Sequence, residues 1–448
     1  MIRNRASLVD HGNRTARETL LDVATAAVDA VHPRTTVPRA VARDGDRLRV
    51  GDRTYDLGTV ETAFVVGAGK GAAAVTAELV GILGDRIAGG VVAEKGDGSD
   101  GVPDAVDVVA AGHPVPDGTS LSAGDRALAI ADAAGPDDLV FLPVTGGASA
   151  LLAVPADGLT LDDLASTTAT LLNAGCRIDE INAVRKHCSA IKGGRLAERI
   201  APASAVTLVV VDEVAGEPWG PTVGDGTTFA DALDVLARHG LTDAVPRAVV
   251  DHLRRGRDGE VSETPRETVG HVVVLAGPAD AAEAAEVRAA NLGYEPLILS
   301  TTVEGESREV ATCLTAVAAE AAAYGRPAEP PCVLISGGET TVRVGDGSGD
   351  GKGGPNQEFA LTSALELAGD ASVTTLALGT DGTDGPTDAA GGLVDATTVP
   401  RMRERGIDAR DHLRRHDATP ALRAVDDAVL TGPTGTNVMD LRLTLVEN

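Results

Sequence analysis

The chain has 448 residues and a formal net charge of −27, with 43% hydrophobic but only 2% aromatic residues. This charge disfavours a nucleic-acid surface, because phosphates would be repelled and the sequence has no basic stripe. No run approaches the roughly 18 apolar residues of a membrane span. Four cysteines without metal-binding spacing indicate a reduced compartment. The acid excess is typical of a high-salt cytoplasm, so we expect a cytoplasmic protein from a halophilic archaeon.

Short apolar runs alternate with amphipathic stretches along the chain, which predicts an α/β protein with largely parallel sheets covered on both faces. Strands are predicted at residues 63–66, 90–93, 106–110, 139–144, 206–211, 272–276, 296–300, 332–336, 373–379 and 441–446. Helices are predicted at residues 71–83, 120–134, 161–174, 279–292 and 307–323. Thr160 and Asp163 have the spacing of a helix N-cap.

Residues 240–268 interrupt this alternation with charged residues and two prolines. They predict a domain boundary or an exposed insertion. We therefore expect an N-terminal domain over residues 1–240, a linker and the start of the next domain over 241–330, and a C-terminal domain over 331–448.

Lysine is rare: only five of the 39 basic residues are lysines, and each lies beside a glycine or inside a short motif. Arginine supplies charge, but it cannot act as a compact donor on a slim stem. A lysine beside glycine backbone suits a small anionic ligand. The pattern therefore indicates phosphate chemistry around Lys70, Lys95, Lys186, Lys192 and Lys352.

The motif VVGAGKGA, residues 65–72, predicts a strand, a tight turn and a helix whose free N–H groups bind an anion. Gly67 and Gly69 are its candidate phosphate-binding glycines, and Lys70 is the candidate catalytic lysine. The same glycines satisfy a dinucleotide fingerprint, with Glu94 as an acidic ribose contact, so an NAD-dependent reductase is the competing interpretation. Lys70 argues against it, because its side chain would compete with the pyrophosphate.

A second glycine-rich loop, residues 346–358, leads into a predicted helix. Its opening resembles a calcium loop, but Gln357 stands where the final glutamate is needed, so an EF-hand is rejected. Two interpretations stay open, a flexible hairpin loop and a phosphate-binding loop. In the second, Lys352 pairs with the phosphate and the other candidate contacts are Gly351, Gly353, Gly354 and Asn356.

Three carboxylates, Asp381, Asp384 and Asp388, follow a predicted strand within eight residues. Such a cluster at the carboxyl end of a strand suits a hard cation such as Mg²⁺, shared with substrate phosphates. Asp381 is the first candidate for a metal ligand or base. Weaker candidates for substrate contacts are His113, Ser149, Arg185, Lys186 and Lys192.

Taken together, these motifs resemble those of the glycerate 2-kinases with a DUF4147 N-terminal domain and a MOFRL C-terminal domain. The resemblance covers nearly the whole chain through AGHPVPD, TGGASALL, VRKHCSAIKGGRLA, STTVEGESREV, SGGET, GGPNQEFAL, GTDGTDGPTDAAG and TGPTGTNV. It implies a larger Rossmann-like three-layer N-terminal domain, a smaller mixed α/β C-terminal domain and an active site in the interdomain cleft.

The activity that this resemblance implies is phosphorylation of D-glycerate at its 2-hydroxyl with ATP and Mg²⁺. Arg185, Lys186 and Lys192 would bind the substrate carboxylate, and His113 and Ser149 would line the cleft. A homodimer is the assembly considered. Two departures from the family keep a kinase of another sugar acid and a non-catalytic relative open: Pro355 replaces an arginine thought to act in catalysis, and residues 212–222 are shortened and altered.

Overall fold

The computed structural model describes residues 1–96, 98, 100–212, 219–344, 351–369 and 371–448. The first part of the second glycine-rich loop and most of the altered 212–222 segment lie outside these residues. The described helices are α1 Arg5–Leu8, α2 Arg14–Val31, α3 Pro33–Ala40, α4 Ala72–Leu83, α5 Gly118–Ala133, α6 Ala148–Leu151, α7 Leu161–Asn173, α8 Ile178–His187, α9 Arg195–Ile200, α10 Phe229–Arg238, α11 Arg247–Arg257, α12 Pro278–Asn291, α13 Ser307–Tyr324, α14 Pro355–Glu366, α15 Thr398–Glu404, α16 Ala409–Arg414 and α17 Ala418–Ala424.

The strands lie between these helices, as the alternating pattern predicts. They are β1 Val41–Asp44, β2 Arg47–Val50, β3 Arg53–Asp56, β4 Ala63–Ala68, β5 Ile87–Glu94, β6 Val106–Ala110, β7 Leu139–Val144, β8 Ser204–Val210, β9 His271–Ala276, β10 Glu295–Glu306, β11 Cys332–Thr341, β12 Val373–Gly379, β13 Gly391–Asp395, β14 Ala428–Val429 and β15 Asp440–Val446. Each predicted strand and helix is present. The predicted N-cap of α7 is also present, because the Thr160 side chain accepts from the backbone N–H of Asp163.

The chain folds into two compact units, which confirms the predicted two-domain α/β fold. The parallel-sheet unit contains Thr36–Val210 together with α10 and α11. Its main sheet has the order β6-β5-β4-β7-β8-β9, and the pairs β4/β5, β4/β7, β5/β6 and β7/β8 are parallel. From β4 the sheet grows first toward β6 and then, through β7, toward β9. A ligand site is expected where the order reverses, beyond the carboxyl ends of β4 and β7.

The mixed-sheet unit contains Met1–Thr35 and Ala276–Asn448. Its sheet has the order β10-β11-β15-β12-β13-β14, in which β15 runs antiparallel to both of its neighbours. The register places Asp440, the first residue of β15, opposite Gly338 of β11 and Gly379 of β12. Asp440 therefore lies between the carboxyl ends of two strands.

This division differs from the expected boundaries at residues 240 and 330. Residues 240–268 are neither a boundary nor an insertion, because α11 buries Val249, Val250 and Leu253 against Phe229 and Val184 in one apolar cluster. The charged residues that suggested an insertion occupy the outer face of this amphipathic helix.

The N-terminal helix α2 belongs to the mixed-sheet unit because a buried ion-pair network fixes it there. The Arg17 guanidinium, fully buried, contacts the carboxylates of Asp395 at 2.6 Å and Asp427 at 2.8 Å. Burial alone would raise the pKa of Asp427, but the hydrogen bond from His11 and the charges of Arg17 and Arg401 hold that pKa below its ordinary value. Asp427 is therefore a buried carboxylate that depends on its cationic partners.

Within the described part of the chain, none of the helices combines the length and the apolar character that a membrane crossing needs.

The Arg17 network can be tested by removing its central cation. Arg17→Met should lower the free energy of unfolding by about 3–5 kcal/mol, because it leaves buried carboxylates without their partner. The control is Arg14→Met on the same helix, whose exposed pair with Glu18 contributes less than about 0.5 kcal/mol. Denaturant titrations in concentrated KCl give both values, and equal losses for the two variants would contradict the assignment.

Candidate active site

The turns after β4 and β7 lie side by side in the parallel-sheet unit. The backbone N–H of Lys70 donates to the carbonyl of Gly146 at 2.8 Å, and Thr145 donates to Ala68 at 3.0 Å. Gly69 has a φ of +128°, and a Cβ on it would lie 2.2 Å from the Thr145 carbonyl oxygen. Only glycine lets the two turns approach this closely, and their contact fixes the backbone from which Lys70 extends.

The N-terminus of α4 is occupied by a carboxylate of the protein itself. Glu94, at the end of β5 and only 6% exposed, accepts hydrogen bonds from the backbone N–H groups of Gly71 at 3.0 Å, Ala73 at 3.1 Å and Lys95 at 3.2 Å. Burial raises the pKa of Glu94, while these N–H groups act in the opposite direction. The carboxylate of Glu94 thus binds the N–H groups at the start of α4 and compensates the positive end of the helix dipole.

This arrangement disagrees with two expectations for the first glycine motif. Glu94 is not exposed for contact with a ribose, because its carboxylate lies against the helix. Gly67 is part of β4, and the N–H of Gly69 donates to the Ala93 carbonyl at 3.0 Å, so neither fits a phosphate-binding loop. The motif instead builds a rigid turn that presents Lys70.

His113 and Ser149 lie near the same switch point. A Cβ on Gly147 would be 2.9 Å from Cδ2 of the His113 ring, so the ring rests on the turn after β7. Ser149 lies in the short helix α6 that follows this turn and is half-buried. The fold therefore brings the predicted residues His113 and Ser149 to one turn, next to that of Lys70.

The three basic residues predicted to bind the substrate carboxylate divide into two kinds. Lys186 forms an ion pair with the buried carboxylate of Asp225 at 3.2 Å, so its charge is compensated. Arg185 and Lys192 are half-buried, and neither forms an ion pair with any residue that the structure describes. Lys192 Nζ donates to the Leu152 carbonyl at 2.7 Å. Arg185 and Lys192 are thus neighbouring cations without a counter-charge.

Burial disfavours the charged form of both side chains. It lowers the pKa of Arg185 to about 10. Burial, together with the charge of Arg185, lowers the pKa of Lys192 to about 7. A bound anion would relieve the repulsion between the two groups, so this pair is a candidate anion site.

The second glycine-rich loop packs its described glycines tightly in the mixed-sheet unit. A Cβ on Gly351 would lie 1.9 Å from the Arg415 carbonyl oxygen, and one on Gly354 would lie 2.4 Å from Cγ of Asp384. Lys352 is exposed; its N–H donates to Asp417 at 2.9 Å and its carbonyl accepts from Thr419 at 2.9 Å. These contacts hold the backbone of Lys352 and of the described glycines beside it.

Asp384 occupies the N-terminus of α14, as Glu94 occupies that of α4. It accepts from the backbone N–H and Nδ2 of Asn356 at 3.0 and 3.1 Å, and from the backbone N–H and Nε2 of Gln357 at 2.8 and 3.0 Å. Burial and the charge of Asp440 raise the pKa of Asp384 to about 7, against the effect of these donors. Asp384 and Asn356 are thus parts of a helix cap rather than a metal ligand and a phosphate contact.

The three predicted metal ligands do not converge. Asp388 is exposed and pairs with Arg423, which lowers its pKa. Asp381 is half-buried, and its Oδ1 accepts from the backbone N–H and hydroxyl of Thr383. Because Asp384 caps α14 and Asp388 pairs with Arg423, Asp381 stays the candidate metal ligand of the predicted trio.

A carboxylate that the sequence patterns did not indicate, Asp440, lies beside Asp381. It accepts from Nδ2 of Asn356 and from Nη2 of Arg442, each at 2.7 Å. Burial raises the pKa of Asp440, the charge of Asp381 adds to this effect, and Arg442 opposes it. The fold thus places two interacting carboxylates at one edge of the sheet, and only the strand register could have revealed the pair.

Comparisons with known proteins agree with this architecture. The model of the domain of unknown function DUF4147 matches residues 19–254, and that of the MOFRL family matches residues 332–440. A glycerate 2-kinase from Pyrococcus horikoshii is 40% identical over 436 residues, which cover 96% of this chain and 97% of the relative. The chain therefore belongs to the glycerate 2-kinase family.

Further relatives support the same family. A D-glycerate 2-kinase from Thermotoga maritima is 37% identical, covering 86% of this chain and 91% of that protein. A crystal structure of a glycerate kinase from the same organism superposes with a TM-score of 0.81 at 33% identity, covering 96% of this chain and 99% of that one. An Agrobacterium vitis protein with a provisional hydroxypyruvate reductase name is 41% identical, covering 85% of this chain and 86% of that protein. Both names occur among relatives of one fold.

Glu94 should act as a positioning residue for Lys70, because its carboxylate orders the turn that carries this lysine. Glu94→Gln keeps the shape of the side chain but replaces one carboxylate oxygen with an NH2 group that faces backbone N–H donors. We therefore expect a loss of about 1–2 kcal/mol in unfolding free energy. We also expect kcat to fall about 10-fold, since small displacements of catalytic groups are costly.

The matched control is Glu78→Gln on α4, away from its N-terminus. Thermal unfolding and steady-state kinetics are measured for both variants. A Glu94→Gln enzyme that loses stability but keeps the wild-type kcat would show that the carboxylate supports the fold alone.

Proposed function

We propose that this protein transfers the γ-phosphoryl group of ATP to the 2-hydroxyl of D-glycerate, giving 2-phosphoglycerate. The observation that carries the proposal is the pair of half-buried cations, Arg185 and Lys192, which lacks a counter-charge among the described residues. The relatives named above supply the reaction class, and the pair supplies a place for an acidic acceptor. We place the reaction in the cytoplasm, and a homodimer is the assembly we would test first.

The site that we propose for the phosphoryl acceptor suits a small hydroxy acid. A carboxylate would compensate the charge of Arg185, whose planar guanidinium suits two-point binding of a carboxylate. His113 and Ser149, on the neighbouring turn, are candidates for contacts with the remaining hydroxyl groups. Lys186 is removed from this set because it already neutralises Asp225.

The phosphoryl group carries several negative charges, and its transfer depends on positioning and charge neutralisation. We assign Lys70 to the transferring group, since it extends from a turn whose backbone is fixed by contacts with Thr145 and Gly146. We assign Lys352 to the nucleotide phosphates, with Gly351, Gly353 and Gly354 shaping its loop.

Asp381 and Asp440 are the residues that would hold Mg²⁺. The pKa of Asp440 is raised by burial and by the charge of Asp381, so a divalent cation would stabilise the two carboxylates together. Oxygen donors of this kind are those that Mg²⁺ prefers, and the ion would neutralise charge on the nucleotide phosphates. Asp384 and Asp388 are excluded from this role by their partners, the α14 cap and Arg423.

The reductase interpretation is not favoured. A dinucleotide places its pyrophosphate at the N-terminus of the helix after the first strand. In this chain the carboxylate of Glu94 already binds that terminus. A pyrophosphate there would have to displace a buried carboxylate of the same sign of charge.

The reaction can be decided by one paired assay in concentrated KCl. With ATP, Mg²⁺ and D-glycerate, phosphorus NMR should detect 2-phosphoglycerate. With NADH and hydroxypyruvate we expect no turnover. NADH oxidation that persists in EDTA, without any phosphorylated acid, would overturn the proposal.

Lys352 should replace the cation that Pro355 removes from the loop. Lys352→Ala should reduce kcat/KM for ATP at least about 100-fold, because one charge-stabilising group is lost. Pro355→Arg in that background should restore part of the activity. The control Arg410→Ala removes an exposed cation elsewhere in the mixed-sheet unit and should leave kcat/KM unchanged. If Lys352→Ala is as active as wild type, the cation comes from another residue.

A further inference from the structure

The side chain of Lys192 is held in one place by the turn that follows α8. Its backbone N–H donates to the hydroxyl of Ser189 at 3.3 Å, and its Nζ donates to the Leu152 carbonyl at 2.7 Å. Gly193 and Gly194 follow with φ of +62° and +87°, and any Cβ there would meet neighbours within 3 Å. The side chain of Lys192 is therefore held at both ends, at its backbone N–H and at its amine.

Burial and the charge of Arg185 both disfavour the ammonium form of Lys192. The charged group that acts on it is Arg185 of α8, and the contacts from the other elements packed against it are the Leu152 carbonyl and the Ser189 hydroxyl. No carboxylate among the described residues pairs with it. Of two adjacent cations, lysine loses its proton far more readily than arginine. The lowered pKa of Lys192, about 7, agrees with this reasoning.

A neutral amine at this position has a free lone pair. One N–H of Nζ donates to Leu152, and this bond does not use the lone pair. A group with these properties, beside a guanidinium that suits a carboxylate, fits a molecule that carries a hydroxyl next to its carboxylate.

We propose that Lys192 is the general base that removes the proton of the acceptor's 2-hydroxyl, while Arg185 binds the carboxylate of the same molecule. This inference rests on the proposed function and deepens it. It revises the expectation that Lys192 binds the carboxylate, and it makes Lys192 a catalytic residue.

The step balances as follows. The lone pair of Nζ forms an N–H bond as the O–H bond of the 2-hydroxyl breaks. The alkoxide oxygen forms a bond to the γ-phosphorus of ATP, whose bond to the bridging oxygen breaks, and ADP leaves with that electron pair. The ammonium of Lys192 then releases its proton to solvent.

The same geometry explains the choice of the 2-hydroxyl. In glycerate the 2-hydroxyl is on the carbon next to the carboxylate, and the 3-hydroxyl is one carbon further away. With the carboxylate on Arg185, the neutral amine of Lys192 beside it reaches the nearer hydroxyl. A 3-hydroxy acid such as 3-hydroxypropionate should therefore not be phosphorylated.

The test is the pH dependence of kcat/KM for D-glycerate, which reports ionisations of the free enzyme. A base must be unprotonated, so wild-type activity should fall as the pH drops below about 7, the pKa of Lys192. Lys192→Met and Lys192→Arg should lower kcat at least about 100-fold, as loss of a general base does, and should abolish this acidic limb.

A second variant tests the neighbour without altering the base. Arg185→Gln removes a positive charge from beside Lys192, so the pKa of Lys192 should rise and the acidic limb should move to higher pH. The KM for glycerate should rise as well. Arg126→Gln, an exposed cation of the same unit paired with Asp107, is the control and should leave the limb in place.

The outcomes separate the two proposals. A wild-type protein that forms no phosphorylated glycerate overturns the proposed function itself. If the wild type is active and folded Lys192→Met keeps its rate and its acidic limb, Lys192 is not the base. If the Lys192 variants do not fold, the Arg185→Gln profile decides: a limb that stays in place overturns the inference. Phosphorylation of 3-hydroxypropionate at a rate like that of glycerate also overturns it.

Discussion

The interaction on which the rest of the structure depends is the capping of two helix N-termini by buried carboxylates. Glu94 binds the first N–H groups of α4, and Asp384 binds those of α14. The first N–H groups of a helix have no hydrogen-bond partner inside the helix. When the helix N-terminus is buried, these groups need an acceptor from elsewhere in the protein. A carboxylate supplies several acceptor positions and also matches the sign of the helix dipole. Each cap thereby fixes one glycine-rich turn.

The caps also determine which cations remain available. Since Glu94 satisfies the N-terminus of α4, Lys70 is the cationic group that its turn presents. Likewise Asp384 satisfies α14, and the exposed Lys352 lies in the loop before that helix. We therefore assign anion binding at the two turns to the lysine side chains rather than to backbone N–H groups. This differs from a dinucleotide-binding turn, in which the helix terminus itself binds the pyrophosphate.

Uncompensated charge distinguishes the candidate site from the structural networks. Arg17 and Lys186 are neutralised by buried aspartates, and each network holds elements together. Arg185 and Lys192 have burial without an opposite charge among the described residues. Asp440 pairs with Arg442 and lies beside a second carboxylate, that of Asp381. In a protein of net charge −27, two such adjacent basic side chains are the place where we propose that an acidic ligand binds. The chemistry we propose uses these groups and leaves the networks of Arg17 and Lys186 to the fold.

The sequence by itself determined the elements, the two-domain α/β class and the family. Hydrophobic periodicity and composition are local properties, so the sequence alone showed which segments form strands and which form helices. Many motifs in a fixed order specified the family. It also selected Lys70, Arg185, Lys192 and Asp381, because each lies within a distinctive local motif.

Only the tertiary structure decided which charged groups are bound into caps and ion pairs of the fold. Membership of α2 in the mixed-sheet unit rests on Arg17 meeting aspartates nearly four hundred residues away, and no local pattern records such a contact. The same is true of Glu94 and Asp384 as caps, of Lys186 as the partner of Asp225, and of Asp440 beside Asp381. Electrostatic roles depend on distance and burial in three dimensions, and residues far apart in the chain set both.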